Sequence, residues 1–306
     1  VQRALDDGSC GRIVVPAPGT FLVSALTLSR SNIEFHIEEG ATLLVSNNRS
    51  SWPGNRHVIT AEKVSHIAIT GEGTIDGQGL IWWQHREQFR PHMVQFTDVT
   101  NAILKDTLYL NSPNHVLELG CSFCELEGVK VLAPPSTGSE CKQHNTCSHN
   151  TDAVDIHGSP FYVHNVNFTT GDDNIAAHAN DTLVEDSYFG SGHGASIGSL
   201  CDNYLTNITF RNIQFQGTTA GARIKSRPNC SGHVWNVKYE NLTMTNVETP
   251  IEVTQHYEGD GPSTFLFENI LFKDIQVFAS DKRKENRPDS LSGLHLKDEE
   301  ADVEFD

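Results

Sequence analysis

The 306-residue chain has no run of eighteen or more apolar residues, and a helix that crosses a bilayer needs about twenty, so no membrane span is expected. Basic residues are scarce: 22 Lys and Arg stand against 39 Asp and Glu, a formal net charge of -17. Nucleic-acid binding depends on basic patches, and nucleic acid is therefore not expected as a partner. An anionic substrate is still allowed, because a few Arg and Lys gathered in a cleft can hold carboxylates on an otherwise acidic molecule. Helical periodicity is nearly missing after the first residues, which leaves strands to build the core. A basic, short-apolar leader is missing too, but processing removes such leaders from secreted proteins, so that absence decides nothing.

Cysteine is sparse but informative: the seven are Cys10, Cys121, Cys124, Cys141, Cys147, Cys201 and Cys230. The close pairs 121/124 and 141/147 have unlike spacings and unrelated flanks, so disulfides are expected rather than a zinc site. No metal and no other cofactor is expected. The odd count leaves one thiol over, and Cys10, far from the others, is its candidate. Sequons at Asn48, Asn167, Asn180, Asn207, Asn229 and Asn241 fit a secreted, extracellular glycoprotein.

A repeat carries the fold. The pattern apolar-x-(Asn/Asp)-apolar-x-apolar recurs at Leu126–Val131 (with Gly at its third position), Val163–Phe168, Phe210–Phe215, Tyr239–Met244 and Phe272–Val277, with looser copies at Val64–Ile69, Leu104–Tyr109 and Val184–Phe189. Their third positions are 66, 106, 128, 165, 186, 212, 241 and 274, so the shortest step is 21 residues. Each copy is a short stretch of β-branched or aromatic residues bounded by turn formers, which predicts strands. A β-sandwich would show turn signals every eight to twelve residues and no echo at twenty or more. The expected architecture is an all-β single-domain solenoid, the right-handed parallel β-helix, over residues 1–280. Val1–Asp7 reads as the end of a capping helix. Residues 281–306, 14 of 26 charged, read as a final irregular coil or charged tail.

Stacked coils bring distant residues together, since neighbouring strands lie about 4.8 Å apart. Asp152 to Asp173 is 21 residues and Asp173 to His193 is 20, one minimal coil each. Steps of 30 from His193 to Arg223 and 32 from Lys225 to Tyr257 match longer turns, so a single column of Asp152, Asp172, Asp173, His193, Arg223, Lys225 and Tyr257 is expected. Carboxyls held close split their pKa values into an acid and a base, which is what glycosidic cleavage uses. Adjacent cations suit a sugar that bears its own carboxylate. One Asp in such a turn would ordinarily cap backbone amides, and a lone Arg or Lys would be a solvated strand face; three carboxyls in register favour chemistry.

The strings Asn150-Thr151-Asp152, Gly171-Asp172-Asp173, Gly192-His193-Gly194 and Arg223-Ile224-Lys225, in this order and spacing, resemble those of the polygalacturonases of glycoside hydrolase family 28. Gly73–Gly79 with Trp82-Trp83, Arg90-Pro91, Asn111-Ser112-Pro113 and Ser196–Ser199 extend the resemblance over about residues 1–280. It implies inverting, metal-independent hydrolysis of α-1,4 linkages in galacturonan, a pectic polysaccharide; separately, a monomer is expected. By the same resemblance Asp172 is the general acid, Asp152 and Asp173 activate water, and His193 supports the acid's protonation. Arg223 and Lys225 bind galacturonate, and Tyr257 contacts substrate. Exo-acting and xylogalacturonan-type hydrolases are the near alternatives; a calcium-dependent pectate lyase or a non-catalytic carbohydrate-binding β-helix are the distant ones.

The chain departs from the family in three places. Ala153-Val154 follow the first string where Gly-Phe is common. Asn174 and Ser191 stand where members often have a disulfide beside the paired Asp. The stretch Pro134–His149, with Cys141 and Cys147, is long, and is expected either to block one end of a cleft, favouring removal of terminal residues, or to be a surface loop without effect.

Overall fold

The structure is a computed structural model and describes residues 1–86, 88–278 and the backbone of strand 301–305. Every strand pairing recorded is parallel and joins a strand to its counterpart one coil later, as in Ile33–Ile37 against Ser65–Thr70 or Ile175–Ala177 against Ala195–Leu200. The chain climbs through three parallel sheets, so the expected right-handed parallel β-helix is the observed fold. The first sheet holds Leu26–Thr27, Ile59–Glu62, the starts of Val94–Lys105 and Leu117–Glu127, then Val154–Ile156, Ile175–Ala177, Ala195–Leu200, Ala220–Ser226 and Thr249–Thr254. The second and third share longer strands that bend at a corner, such as Tyr204–Gln216 and Ser231–Thr245.

The repeat marks that corner. All eight third positions have φ between 50° and 65°, the left-handed region that Asn, Asp and Gly enter at least cost. Seven of them lie where the second sheet bends into the third. His66 lies instead at the entry to the second sheet, beside Asn101. Side-chain amides then ladder along the corner: Asn212 donates to Asp186 at 2.8 Å and Asn241 donates to Asn212 at 2.9 Å.

Inward positions stack in register. Val184, Phe210, Tyr239 and Phe272 occupy one level of successive coils, with near-parallel rings 4.8 and 5.3 Å apart. Each such side chain contributes about 1.5–3 kcal/mol by leaving water. Helix Gln2–Asp6 buries Leu5 over the first coil, and Gln2 exchanges two hydrogen bonds with the Thr27 backbone, which is the expected cap. Helices Leu80–Trp83 and Ser139–His144 sit in loops between the third and first sheets.

Two expectations need correction or limits. Cys141–Cys147 is bonded as expected, but the second disulfide is Cys201–Cys230; Cys121 and Cys124 are free and buried, and Cys10 is free and exposed. The first two sit in strand Leu117–Glu127 opposite Val99 and Ala102 and pack as small core residues. Of the segment 281–306, residues 301–305 form a strand parallel to Thr264–Phe278, and the rest lies outside the described residues.

Candidate active site

The first sheet's outer face carries the chemistry. Its register aligns His57, His92, His115, Asp152, Asp173 and His193 at one position, two residues before the pairs Ile59, Val94, Leu117, Val154, Ile175 and Ala195. Three expected residues share this row, and the three histidines that continue it are new. Arg223 and Lys225 do not belong to the row: Arg223 pairs with Ser196 and Lys225 with Thr254, because this coil, Ala195 to Ala222, is 27 residues long and the 30-residue step to Arg223 overshoots it. Tyr257 follows the next strand and is tied by its N–H to Ser226 O at 3.0 Å.

Long side chains nevertheless close the gap. Lys225 Nζ donates to Asp173 Oδ2 at 2.6 Å, Ser196 Oγ donates to Oδ1 at 2.9 Å, and Arg223 Nη1 lies 3.6 Å from Oδ1. Arg223 Nε lies 2.8 Å from Glu252. Tyr257 receives both cations on its ring, at 5.1 and 4.7 Å. His193 Nδ1 meets Asp172 Oδ1 at 3.0 Å, and its N–H donates to Asp172 O at 2.8 Å. All seven expected residues therefore belong to one constellation, arranged as a grid.

Small buried hydroxyls hold the turns. Thr151 Oγ1 accepts from Gly171 N at 2.9 Å, Thr170 Oγ1 donates to Thr151 O and accepts from Asp172 N, and Asp173 N donates to Asp172 Oδ1 at 2.9 Å. Where a disulfide was expected to be missing, Asn174 donates to Phe168 O and Ser191 O and accepts from Gly194 N at 2.9 Å. It joins the same two turns that the cysteines would. Gly192 and Gly194 have φ of 150° and 84°, and a Cβ on Gly192 would strike the Asn174 amide, so His193 stands on a turn only glycine builds.

The remaining motifs brace one wall. Arg90, buried, donates to Pro113 O at 3.1 Å, His149 O at 2.6 Å and Asn150 Oδ1 at 2.7 Å. Trp83 Nε1 donates to Ser112 O at 2.9 Å, and Gly79 N to Asn111 O. Arg90-Pro91, Asn111-Ser112-Pro113, Gly77–Gly79 and Trp82-Trp83 are thus scaffolding that orients Asn150-Thr151-Asp152.

Burial, with Asp172 and Asp155 nearby, pushes the Asp152 carboxyl well above its ordinary range. Burial acts the same way on Asp172, but His193, by hydrogen bond and charge, outweighs it and holds that carboxyl low. Lys225 is raised, because Asp173 outweighs burial. One donor atom each of Asp172, Asp173 and His193 lies within 4.8 Å of the others, so a cation could enter only by competing with Lys225 and Arg223, which face Asp173.

A family model described as glycosyl hydrolases family 28 matches residues 6–285. A probable polygalacturonase of Arabidopsis thaliana is 31% identical over 259 residues, covering 81% of this chain and 54% of that protein. An endo-polygalacturonase of Pectobacterium parmentieri is 30% identical, covering 90% and 76% respectively. The chain therefore spans about half the length of the first relative. Among solved structures, a polygalacturonase from Erwinia carotovora ssp. carotovora aligns with a TM-score of 0.80 at 24% identity over 99% of this chain and 92% of that one. With four strings on one grid and a family match across nearly its whole length, the chain belongs to glycoside hydrolase family 28.

Proposed function

We propose that the protein hydrolyses α-1,4 galacturonosidic bonds in pectic galacturonan with inversion. The observation that carries this is a trio of carboxyls, Asp152 and Asp173 buried and Asp172 half-buried, flanked on one side by Lys225 and Arg223. Those cations, backed by the Tyr257 ring, suit the carboxylate of a galacturonate unit beside the cleaved bond. Asp152 and Asp173 stand on neighbouring strands and can share one water, the nucleophile of an inverting reaction. Asp172, paired with His193, delivers the proton to the departing oxygen. Burial raises the Asp152 carboxyl while His193 holds Asp172 low, and because these two carboxyls interact they titrate together rather than singly.

Two disulfides fit a secreted protein. The loop holding Cys141–Cys147 is pinned by Arg90 to His149 and by Asn145 to Gln84 O. That fixed wall favours exo action as the second reading.

The test is a product time course on polygalacturonic acid with and without EDTA, resolving oligomers and monitoring unsaturated sugars. Saturated products unaffected by EDTA, lost in Asp172→Asn, support the proposal. EDTA-sensitive unsaturated products would make the protein a lyase. Monomer release with slow viscosity loss means exo action, and rapid viscosity loss refutes the blocking role of the loop.

A further inference from the structure

We propose that His115, held by Glu118 and Asp155, is a positioning residue that keeps Asp152 ionised during turnover and so sets the low-pH limb of activity. The inference rests on the hydrolase reading above, in which Asp152 must accept or share a proton from water.

Asp173 has Lys225, Arg223 and Ser196, and Asp172 has His193. Asp152, 8% exposed, has none of these. Its Oδ1 is buried without a hydrogen bond, and His115 Nε2 faces that oxygen from 3.6 Å. The other ring nitrogen is anchored: Nδ1 donates to Glu118 Oε2 at 2.9 Å, and Asp155 Oδ2 lies 3.0 Å from it. Carboxylates can only accept, so Nδ1 carries the proton. A second proton on Nε2 then makes the ring a cation aimed at Asp152. Glu118 is itself fixed from its far side by His157 Nε2 at 2.9 Å.

Other groups facing His115 do not supply that charge. On the preceding strand the His92 ring lies 4.8 Å away and stays neutral, pushed down to about 3 chiefly by burial. His57, stacked beyond it, is also lowered by burial. Arg90 is bonded to Pro113, His149 and Asn150, and among the leading influences on Asp152 it is His115 that favours the ionised form. Burial opposes charge on His115, but Asp152, Asp155 and Glu118 outweigh it and raise its pKa.

An opposite charge within about 4–6 Å lowers a carboxyl by about 1–3 pH units. His115→Gln should therefore move the acid limb of kcat/KM up by about one unit or more, which is a tenfold or larger loss on that limb. His115→Lys, which keeps a cation, should restore part of it. Glu118→Gln, which leaves the ring in place but removes its anchor, should shift the limb the same way by less. A role in packing alone would lower kcat at all pH values and leave the limb where it was, and that result in both His115→Gln and Glu118→Gln overturns the proposal.

Charge coupling is reciprocal, so an NMR titration of the histidine rings tests the pair without substrate. Asp152→Asn should lower the His115 midpoint by about a unit, and an unmoved midpoint overturns the proposal. If the wild-type protein cleaves no galacturonan while this midpoint moves, the substrate assignment has failed and the Glu118–His115–Asp152 relay stands.

Discussion

Replacing Lys225 by Met should destabilise the protein more than almost any other single change at the site, and a second substitution should rescue it. Lys225 and Asp173 are 5% and 3% exposed at the side chain and 2.6 Å apart, so water screens them little. At an effective dielectric of about 20, two unit charges at the 2.6 Å separation attract by about 6 kcal/mol. Desolvation of both ions consumes most of that, and the measurable effect is the cost of stranding one partner, about 3–5 kcal/mol. Ser196 and the more distant Arg223 remain to Asp173, which places Lys225→Met towards the lower end of that range. For a chain of this size each kcal/mol is worth about 2 °C, giving a fall in Tm of about 6 °C or more. Lys225→Met with Asp173→Asn removes both charges, and such swaps are close to neutral, so the double variant should regain most of the lost Tm while remaining inactive. Lys225 has a raised pKa in the folded state; its contribution is complete below the ordinary lysine value and lost only as pH rises through the folded value, so mildly acidic buffer suits the assay. Calorimetry of the three proteins decides. A single variant within about 1 kcal/mol of wild type, or a double variant no more stable than the single, would refute the buried-pair account.

Asn174→Ala deletes three hydrogen bonds, two of them buried, each worth about 1 kcal/mol; it should cost about 3 kcal/mol by thermal unfolding and lower kcat, since Gly194 and hence His193 lose their anchor. Thiol titration should find Cys10 reactive in the native protein, with Cys121 and Cys124 reacting only after denaturation; a single thiol in denaturant would mean that the latter two are bonded. Cys201–Cys230 spans 29 residues and Cys141–Cys147 spans 6, so chain entropy predicts losses of about 3.6 and 2 kcal/mol when each pair is replaced by Ser, in that order by calorimetry. His178 is lowered to about 4, chiefly by burial and then by His157. Its neutral form supports the fold above the ordinary imidazole pKa, and that support is lost as pH falls through about 4, at about 1.4 kcal/mol per unit. His178→Gln should flatten the fall of Tm with acid, and an unchanged slope would count against it.

The repeat was legible because its third position has a backbone reason. Corner residues must enter the left-handed region, and Asn and Asp do so most readily, so composition recorded geometry at Asn165, Asp186, Asn212, Asn241 and Asp274. The near-equal steps from Asp152 to Asp173 to His193 were legible for a related reason: those coils carry almost no inserted loop. The same logic shows why His57, His92 and His115 were missed. They share the row with Asp152, but inserted segments containing helices Leu80–Trp83 and Ser139–His144 separate them by unequal steps, and a period search cannot align unequal coils. Arg223 was placed in the wrong row by the converse error, a coincidental step of 30 residues. Cys121 and Cys124 misled because proximity in sequence carries no information about which face of a bent strand a thiol occupies.

The missed row changes how the site's charge is distributed. With only the seven expected residues, every partner of a carboxyl lies on the Asp172–Asp173 side: His193 at one, Lys225 and Arg223 at the other. Asp152 would then be a buried acid whose neighbours all oppose its ionisation, and it could not share in activating water near neutral pH. His115 supplies the counter-charge from the opposite side, on a ring whose far nitrogen is fixed by Glu118 and Asp155. Asp152 then faces His115 and Asp173 faces Lys225 and Arg223, so each of the two neighbouring carboxyls has its own partner and both can accept from a water shared between them. A β-helix can build this with few residues, because each coil adds one side chain to the row, and position in the row rather than in the sequence decides what it faces.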